Sequence, residues 1–411
     1  MKNIIILYTD NKNIIKQFPY LQSVKNKDIV YFDNAATTHK PNKVVDAICE
    51  FYKSNNTNIH RSTHVQGAAI TQDYEDSRKC IAKFIGAKNN NEIIFTSGAT
   101  ESINLLANSY GRKNIQKGDV ILISEIEHHS NMLPWTTLAK ETGAEIQIIP
   151  LNEELMVDLS ELKLILNNKV KIIAIHHISN VTGIMQNIKS IISIAHKFNI
   201  PVFVDGAQAP SHIKIDVNLL NCDFYCFSGH KLFGPTGVGV LFIKHKYFKQ
   251  LTPYKTGGQM VVTASIKKPK WAEMPLQLEA GTPNIAGVLG LRAAIEFIKE
   301  YGINEIIKKE EELNSYMEMQ LKNIPKLIQY GKYNKTAPIF AFNIKNIHHY
   351  DISTLLAQNN ILVRSGHLCN QGLMNHLKID GCVRASLAFY NNSNEIDKFI
   401  SVLKKIISFL K

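Results

Sequence analysis

The sequence has few cysteines, and no two of them form a recognisable ligand pair. The six stand at positions 49, 80, 222, 226, 369 and 382, without a Cys-x-x-Cys motif. A disulfide framework needs a denser set, and a zinc site needs short, regular spacing, so we expect neither disulfides nor a bound metal. Cys222 and Cys226, with His230 nearby, could suggest a metal site. In a strand, however, both would share one face with Phe224, which predicts buried structural thiols.

Long hydrophobic runs are also missing. No stretch approaches the roughly 20 apolar residues that a transmembrane helix needs, so we expect no association with a membrane. The first residues, MKNIIILYTDNKN, have an apolar run too short for a secretory signal, and Asp10 follows at once. They are not rich in serine and arginine either. The sequence therefore predicts a cytoplasmic protein, with a plastid location as the less favoured alternative.

Basic charge is in excess but is not concentrated. Lysine and arginine number 47 against 35 aspartates and glutamates, a formal net charge of +12. The lysines are scattered, without the basic block and interleaved aromatic residues that are typical of nucleic-acid binding. We expect no nucleic-acid partner, and instead an attraction for anionic small molecules or an acidic protein. A hydrophobic fraction of 45% is enough for a packed core.

Seven short apolar runs alternate with stretches of helical length between about residues 90 and 245. The runs are NEIIFTSG, DVILIS, EIQIIPL, KVKIIAIHHIS, IPVFVDGA, CDFYCFS and VGVLFIK. Continuous hydrophobicity is typical of strands covered on both faces. The pattern predicts a doubly wound, mainly parallel α/β sheet, whose chemistry takes place at the carboxyl ends of the strands.

The pattern changes near Leu291. LRAAIEFIKEYG predicts a helix, and PIFAFNI and NILVRSG follow it as short apolar runs. The final stretch, EIDKFISVLKKIISFLK, places its apolar residues at helical spacing. These are Ile396, Phe399, Ile400, Leu403, Ile406, Ile407 and Leu410. The last third of the chain therefore predicts a smaller α+β domain.

One lysine stands in an otherwise apolar stretch, YCFSGHKLFGPTGVG (225–239). A buried lysine is costly without a partner, and Lys231 has no acidic neighbour in sequence. In a dry site its pKa falls and its amine becomes nucleophilic toward carbonyl groups. Ser228 and His230, just before it, are candidate phosphate donors.

Two further strand ends carry groups that suit the same ligand. In FTSGATES (95–102) a helix is expected to begin near Ala99, and its free N–H groups with Thr100 would cradle a phosphate. Ordinary capping by Ser97 is an equal alternative. Asp205 follows the strand PVFV and needs a cation or donors, which a structural salt bridge would also supply. Pyridoxal 5′-phosphate uses all three features: Lys231 forms the Schiff base, and Asp205 keeps the ring nitrogen protonated.

Motifs along nearly the whole chain resemble one family. They are YFDNAATT (31–38), EHHSNMLPW (127–135), ISNVTG (178–183), VDGAQA (204–209), FSGHKLFGPTGVG (227–239), EAGTPN (279–284) and VRASLAFYNN (383–392). In this order they resemble the cysteine desulfurases, class V members of the fold-type-I pyridoxal-phosphate enzymes, and most closely the Suf-type branch. The resemblance implies a large domain with a mainly parallel seven-stranded sheet and a smaller α+β domain. We expect an N-terminal segment (1–32) that packs with the small domain, a large domain (33–290) and a small domain (291–411).

The resemblance also implies roles at the cofactor. His128 would stack on the ring and carry a proton, and Asn180 and Gln208 would hydrogen-bond the ring hydroxyl. The phosphate would be held by residues of two strand ends and of the other subunit, which implies a homodimer. These phosphate ligands are Ala99, Thr100, Ser228, His230 and, from the other subunit, Thr282.

The stretch LVRSGHLCNQG (362–372) places Cys369 in a loop near Arg364, surroundings that suit a stabilised thiolate, although an inert thiol is the alternative. The resemblance implies that Cys369 takes the sulfur of L-cysteine as a persulfide and that alanine leaves. Arg384 would grip the substrate carboxylate. The remaining substrate-binding residues implied are His60 and Arg61 at the entrance, Asn180 and Arg364.

Arg384 follows Cys369 by fifteen positions, which is similar to the short-loop branch, whose sulfur passes to an acceptor of the SufE or SufU type. The residues beside the nucleophile depart from that branch: Leu368 and Asn370 stand where it has histidine and alanine. The leading hypothesis is a cysteine desulfurase that serves iron–sulfur cluster assembly. A selenocysteine lyase acting on L-selenocysteine and a non-catalytic basic scaffold are the alternatives.

Overall fold

The structure is a computed structural model, and it describes residues 14–331 and 337–410. The predictions made for residues 1–13 lie outside the described residues. The strands are β1 (Val30–Tyr31), β2 (Ile93–Thr96), β3 (Val120–Ser124), β4 (Glu145–Ile149), β5 (Val170–His176), β6 (Val202–Asp205), β7 (Phe224–Ser228), β8 (Gly239–Ile243), β9 (Val261–Thr263), β10 (Lys270–Trp271), β11 (Leu327–Tyr330), β12 (Ile339–Ile344), β13 (Ile361–Leu362), β14 (Arg364–Gly366) and β15 (Cys382–Ser386).

The α-helices alternate with these strands in the first two thirds of the chain. They span Pro19–Gln22, Asn42–Ser54, Val65–Phe84, Ala99–Leu106, Arg112–Asn114, Leu133–Thr142, Leu159–Ile165, Ile188–His196, Val217–Leu220, Ile285–Tyr301, Ile303–Leu321, His349–Gln358, Gln371–Leu377 and Ser393–Phe409. In the described part of the chain, none of the helices combines the length and the apolar character that crossing a membrane requires.

The large sheet has seven strands in the order β2–β8–β7–β6–β5–β3–β4. Strands β3 to β7 run parallel to one another, whereas β8 is antiparallel to both β2 and β7. All seven predicted apolar runs form strands of this sheet, and the mainly parallel α/β fold is confirmed.

Successive side chains of the sheet enter two different cores. In β5, Ile173 and Ile175 belong to one hydrophobic cluster, and Ile172 and Ala174 belong to the cluster on the other face. Burial on both faces explains why the strands are continuously apolar. Cys222 and Cys226 are both fully buried, as predicted. The expectation that they share a face is wrong, because β7 begins after Cys222 and the two thiols enter opposite clusters.

A second, antiparallel sheet has the order β11–β12–β15–β14 and carries its own hydrophobic core. The last helix, Ser393–Phe409, contributes six buried residues to that core, all of them predicted. Near the start of the described chain, β1 pairs in parallel with β13, so residues 30–31 join the second unit.

The helix Ile285–Tyr301 runs through the position at which the sequence suggests a boundary, between residues 290 and 291. It packs against the helices Asn42–Ser54 and Val65–Phe84. Ile285, Leu291 and Ile298 lie in the same cluster as the large sheet. The helix is therefore continuous where the predicted boundary falls.

Candidate active site

A cavity of about 440 Å³ lies at the carboxyl ends of β5, β6 and β7. The last residue of each of these strands lines it: His176, Asp205 and Ser228. Twelve predicted site residues line this one cavity. They are Ala99, Thr100, His128, Asn180, Asp205, Gln208, Ser228, His230, Lys231, Arg364, Cys369 and Arg384.

Asp205 is a buried acid and Lys231 is a base, and both line the same cavity. The Asp205 carboxylate accepts a hydrogen bond from the backbone N–H of Ala207 at 2.9 Å. Burial raises the pKa of Asp205, although the hydrogen bond from Ala207 and the charge of Lys231 each act to lower it. Burial lowers the pKa of Lys231, and Arg384 lowers it further, whereas Asp205 acts in the opposite direction. The amine is thus shifted toward its neutral, nucleophilic form.

The turn that follows β7 is fixed through the carbonyl of His230. This oxygen accepts hydrogen bonds from the Thr38 N–H at 3.1 Å, the Thr37 hydroxyl at 3.1 Å and the Lys40 ammonium at 3.2 Å. Burial, followed by the charges of Lys231 and Lys40, lowers the pKa of His230 to about 4. The backbone that carries Lys231 is therefore held from a distant segment of the chain.

The helix Ala99–Leu106 begins at the cavity. Its N-cap residue is Gly98, not Ser97. The Ser228 hydroxyl accepts a hydrogen bond from the Ala99 N–H at 2.8 Å. The first helical turn and two hydroxyl-bearing residues, Thr100 and Ser228, therefore lie together, as a cradle for an anion requires.

His128 is neutral, and its tautomer follows from one hydrogen bond. Its Nδ1 accepts from the Ser130 N–H at 3.0 Å, which leaves the proton on Nε2. Burial, then Lys231 and His129, lower the pKa of His128 to about 4. The Ser130 hydroxyl hydrogen-bonds that of Thr100 at 2.8 Å, so the His128 segment also contacts the cradle.

A buried pair beside Asp205 was not predicted. His176 is the register partner of Asp205 on the neighbouring strand, and its Nδ1 lies 2.7 Å from Glu127. The Glu127 carboxylate also accepts from the Ser124 hydroxyl at 2.5 Å and from the Asn131 amide at 2.7 Å. Burial alone lowers the pKa of His176, but Glu127 more than compensates, and the pKa is raised. The only sequence signal was the position of His176 at the end of an apolar run.

Arg384 is buried and lies between two acceptors. One nitrogen donates to the Asn180 carbonyl at 2.9 Å and another to the Asp33 carboxylate at 2.9 Å. Arg364 donates to the same carboxylate at 2.8 Å. Within the described chain the buried Nε of Arg384 has no hydrogen-bond partner. Asp33, which holds both guanidinium groups, was not predicted as a site residue.

Two amide side chains line the cavity and are oriented by backbone carbonyls. The Asn180 amide donates to the Leu368 carbonyl at 2.9 Å, and the Gln208 amide donates to the Ala35 carbonyl at 2.8 Å. Each of these bonds uses one of the two amide protons. Both side chains therefore retain donor capacity for a ligand.

Cys369 is exposed and lies in a loop with an unusual backbone. Both Leu368 and Cys369 have positive φ angles, 56° and 55°. The Cys369 carbonyl accepts a hydrogen bond from the His129 N–H at 2.8 Å, and the Leu368 side chain is buried in a hydrophobic cluster. The loop is therefore anchored on both sides of an accessible thiol.

Three predicted residues do not line the cavity of their own chain. The His60 N–H donates to the Thr71 hydroxyl at 2.8 Å, and Arg61 donates to the Val261 carbonyl at 3.4 Å. Thr282 is exposed and accepts from Asn58 at 3.3 Å. Their predicted roles at the substrate entrance and at a second subunit remain predictions.

Residues 30–399 match the model of the family described as Aminotransferase class-V. The chain belongs to the aminotransferase class-V family. Among curated members, a probable cysteine desulfurase of Halalkalibacterium halodurans is 42% identical over 393 residues, covering 95% of this chain and 97% of the relative. A cysteine desulfurase of Shigella sonnei is 41% identical over 391 residues, covering 95% and 96%.

Solved structures of two cysteine desulfurases are similar to this one over nearly the whole chain. The apo cysteine desulfurase of Thermococcus onnurineus superimposes with a TM-score of 0.92 at 35% identity, covering 97% of this chain and 98% of that one. The cysteine desulfurase CsdA of Escherichia coli, in an S-sulfonic acid form, gives a TM-score of 0.91 at 37% identity, covering 98% and 99%.

As a class-V member, the protein is a pyridoxal 5′-phosphate-dependent enzyme, and the cavity fits that group by its donor set. The helix start with Thr100 and Ser228 suits a phosphate. The buried carboxylate of Asp205 suits a protonated ring nitrogen, and the amine of Lys231 suits an aldehyde. Among the described residues no group of three or more histidine, cysteine, aspartate and glutamate side chains could hold a metal ion.

Proposed function

We propose that the protein is a Suf-type cysteine desulfurase, which converts L-cysteine to L-alanine and holds the sulfur as a persulfide for iron–sulfur cluster assembly. One observation carries this proposal: an exposed thiol, Cys369, lines the same cavity as Lys231 and Arg384. The naming of relatives over 40% identical as cysteine desulfurases is consistent with it. No observation favours L-selenocysteine as the preferred substrate.

Each residue of the cavity has a distinct task in this reaction. Arg384 binds the substrate carboxylate, because a buried guanidinium with an unpaired Nε is a strong charge-assisted donor. Lys231, with its lowered pKa, accepts the α-proton as a neutral amine. Bound pyridoxal phosphate supplies an electron sink next to the substrate α-carbon.

The sulfur transfer itself falls to Cys369. Its thiolate attacks the substrate sulfur, so that a sulfur–sulfur bond forms as the carbon–sulfur bond breaks and its electron pair returns to carbon. His128, neutral with a proton on Nε2, delivers or accepts a proton beside it. Asp205 would hold the ring nitrogen of the bound cofactor and keep it protonated.

We further propose a homodimer in which Thr282 contacts the phosphate bound by the other copy, with His60 and Arg61 at the substrate entrance. Thr282 is exposed and lies outside the cavity of its own chain, which supports this arrangement. The sulfur would leave on an acceptor protein of the SufE or SufU type. We also propose a large domain of residues 33–290 and a small domain of residues 291–411, against which the described part of the predicted N-terminal segment (1–32), residues 14–32, packs.

The deciding experiment compares the wild type with Cys369→Ala in the cofactor-loaded enzyme. Alanine and sulfide are measured together after addition of L-cysteine and a reductant. We expect equal amounts from the wild type and a rate at least about a hundredfold lower from Cys369→Ala, because no other thiol of the described chain lines the cavity. Cys49→Ala removes another exposed thiol and serves as the matched control. Full activity of Cys369→Ala would overturn the proposal.

A further inference from the structure

Asn370 directly follows the proposed nucleophile and is almost completely buried, with 1% of its surface exposed. Its amide nitrogen donates to the Ile126 carbonyl at 2.8 Å and lies 3.5 Å from the Asn180 side-chain oxygen. Its own oxygen accepts from the Leu373 N–H at 3.1 Å. One side chain thus connects the start of its own helix to two other segments of the protein.

Each of these segments carries or contacts a residue of the cavity. Ile126 stands two positions before His128, and Asn180 lines the cavity while its amide holds the Leu368 carbonyl. The segments that carry Cys369 and His128 also approach each other closely at a second point. A Cβ on Gly372 would lie 1.9 Å from the Glu125 carbonyl oxygen, so the backbones are in direct contact.

The backbone at the nucleophile needs such support. Leu368 and Cys369 both have φ near +55°, a region that residues with a side chain rarely adopt and that costs free energy at each position. A conformation of this kind persists only when its surroundings hold it. Asn370 is well suited to this task, because a buried amide that lost its partners would leave unsatisfied polar groups away from water.

We propose that Asn370 is a positioning residue that fixes the Cys369 thiol relative to His128 and Asn180. The proposal deepens the proposed function and rests on it for the reaction concerned. Asn370 does not line the cavity, and it acts through the loop backbone. The loop would then keep the thiol in a fixed position. An acceptor of the sulfur must therefore reach it at the cavity.

A simpler role competes with this one. Asn370 is the N-cap of the helix Gln371–Leu377, and asparagine is a common N-cap residue. A residue that only capped the helix would stabilise residues 371–377 and leave the loop of His128 unaffected. The two roles therefore differ in whether the bond to the Ile126 carbonyl matters.

Three variants separate these roles. Asn370→Ala removes the cap and the cross-link, whereas Asn370→Ser retains a cap oxygen and cannot reach the Ile126 carbonyl. Asn187→Ala is the matched control, because Asn187 caps the helix Ile188–His196 through the Ser190 N–H and does not line the cavity. Thermal unfolding verifies that all three fold.

The first measurement is amide hydrogen exchange of the cofactor-loaded proteins, read in the segments 126–132 and 366–374. For Asn370→Ala and Asn370→Ser we expect exchange about tenfold faster in both segments, because the His129 N–H is protected by the Cys369 carbonyl. Asn187→Ala should change only the start of its own helix. Exchange that changes only after residue 370, or a serine variant identical to wild type, would overturn the proposal.

The second measurement is steady-state alanine formation from L-cysteine. We expect kcat to fall about tenfold in both Asn370 variants with KM within about twofold, since Arg384 is unchanged. A tenfold loss of kcat/KM that came from a higher KM, with kcat unchanged, would contradict the positioning role. If the wild type forms no alanine, the proposed function fails, while the exchange measurement still decides whether Asn370 holds the loop.

Discussion

At the scale of single residues, the part of the site that local sequence patterns alone predict consists of groups that interrupt or end an apolar run. Lys231 and Asp205 each interrupt an apolar run, and burial accounts for the pKa shift of both. Asp33 gave no such signal, because its partner Arg384 lies 351 residues away in the sequence. A long-range ion pair of this kind has no local pattern to read.

Arg384 and Arg364 share Asp33 but should differ in their importance for substrate binding. Arg384→Lys should raise KM for L-cysteine by about a hundredfold. A lysine in this buried site cannot reproduce the planar, bidentate contact that a guanidinium makes with the substrate carboxylate. Arg364→Lys should raise it less than about tenfold, because half of the Arg364 side chain is exposed. Steady-state kinetics measure both.

The matched control for these substitutions is Arg112→Lys, an exposed arginine paired with Glu141 at 2.7 Å. We expect its KM to equal that of the wild type. Equal effects of Arg384→Lys and Arg364→Lys would contradict the assignment of Arg384 as the main carboxylate ligand.

At the scale of elements, all seven strands of the large sheet could be predicted, but not the direction of β8. A continuous hydrophobic run indicates that a strand is buried on both faces, but it does not indicate whether the strand runs parallel or antiparallel to its neighbours. Only residues 229–238 connect β7 to β8, fewer than a parallel crossover usually needs, and this length was the available signal. The start of the helix at Ile285 was missed because Gly287 and Gly290 obscure its pattern, although Asn284 caps it.

The strand β8 also contacts the segment that is predicted to hold the cofactor phosphate. A Cβ on Gly239 would lie 2.4 Å from the Gly98 Cα, so the strand and the start of the helix Ala99–Leu106 are in backbone contact. Gly239→Ala should push this segment away and weaken pyridoxal phosphate binding by about tenfold. Spectroscopic titration of the cofactor-free enzyme measures the dissociation constant.

Gly258→Ala is the control for this substitution, because a Cβ there would meet no atom within 4 Å. It should bind the cofactor as the wild type does. Wild-type affinity in Gly239→Ala would show that the backbone contact does not shape the cradle.

At the scale of the whole molecule, several histidines are buried as neutral groups, and this makes folding sensitive to acid. His39 illustrates the effect. It is stacked on Tyr20 with ring centroids 4.0 Å apart, and its Nε2 is buried without a partner in the described chain. Burial, aided by Lys40, lowers the pKa of His39 from 6.5 to about 4.

Between pH 6.5 and 4 the unfolded chain therefore binds a proton at His39 that the folded protein does not, and stability falls as pH falls through this window. His39→Gln removes this term. The free energy of unfolding of the variant is compared with that of the wild type at pH 7.5 and at pH 5. Any deficit of the variant in this free energy at pH 7.5 should be about 2 kcal/mol smaller at pH 5. Urea unfolding at both pH values measures it.

Asn187→Ala, which removes a helix cap and no titratable group, is the control and should show a difference in unfolding free energy from wild type that is the same at both pH values. A constant difference for His39→Gln as well would contradict the assignment of a buried neutral ring.

The helix Ile285–Tyr301 limits how the two units of the molecule can move. Because it is unbroken at residue 290, rotation of the antiparallel sheet against the large sheet cannot bend the chain there. The next place where the backbone can turn is Gly302, whose φ of 96° separates this helix from the following one. Arg384 on β15 donates to the carbonyl of Asn180, in the segment after β5, so a rotation that separated these two segments would break this hydrogen bond. If Arg384 binds the substrate carboxylate as proposed, the same guanidinium would link substrate binding to a rotation of the two units.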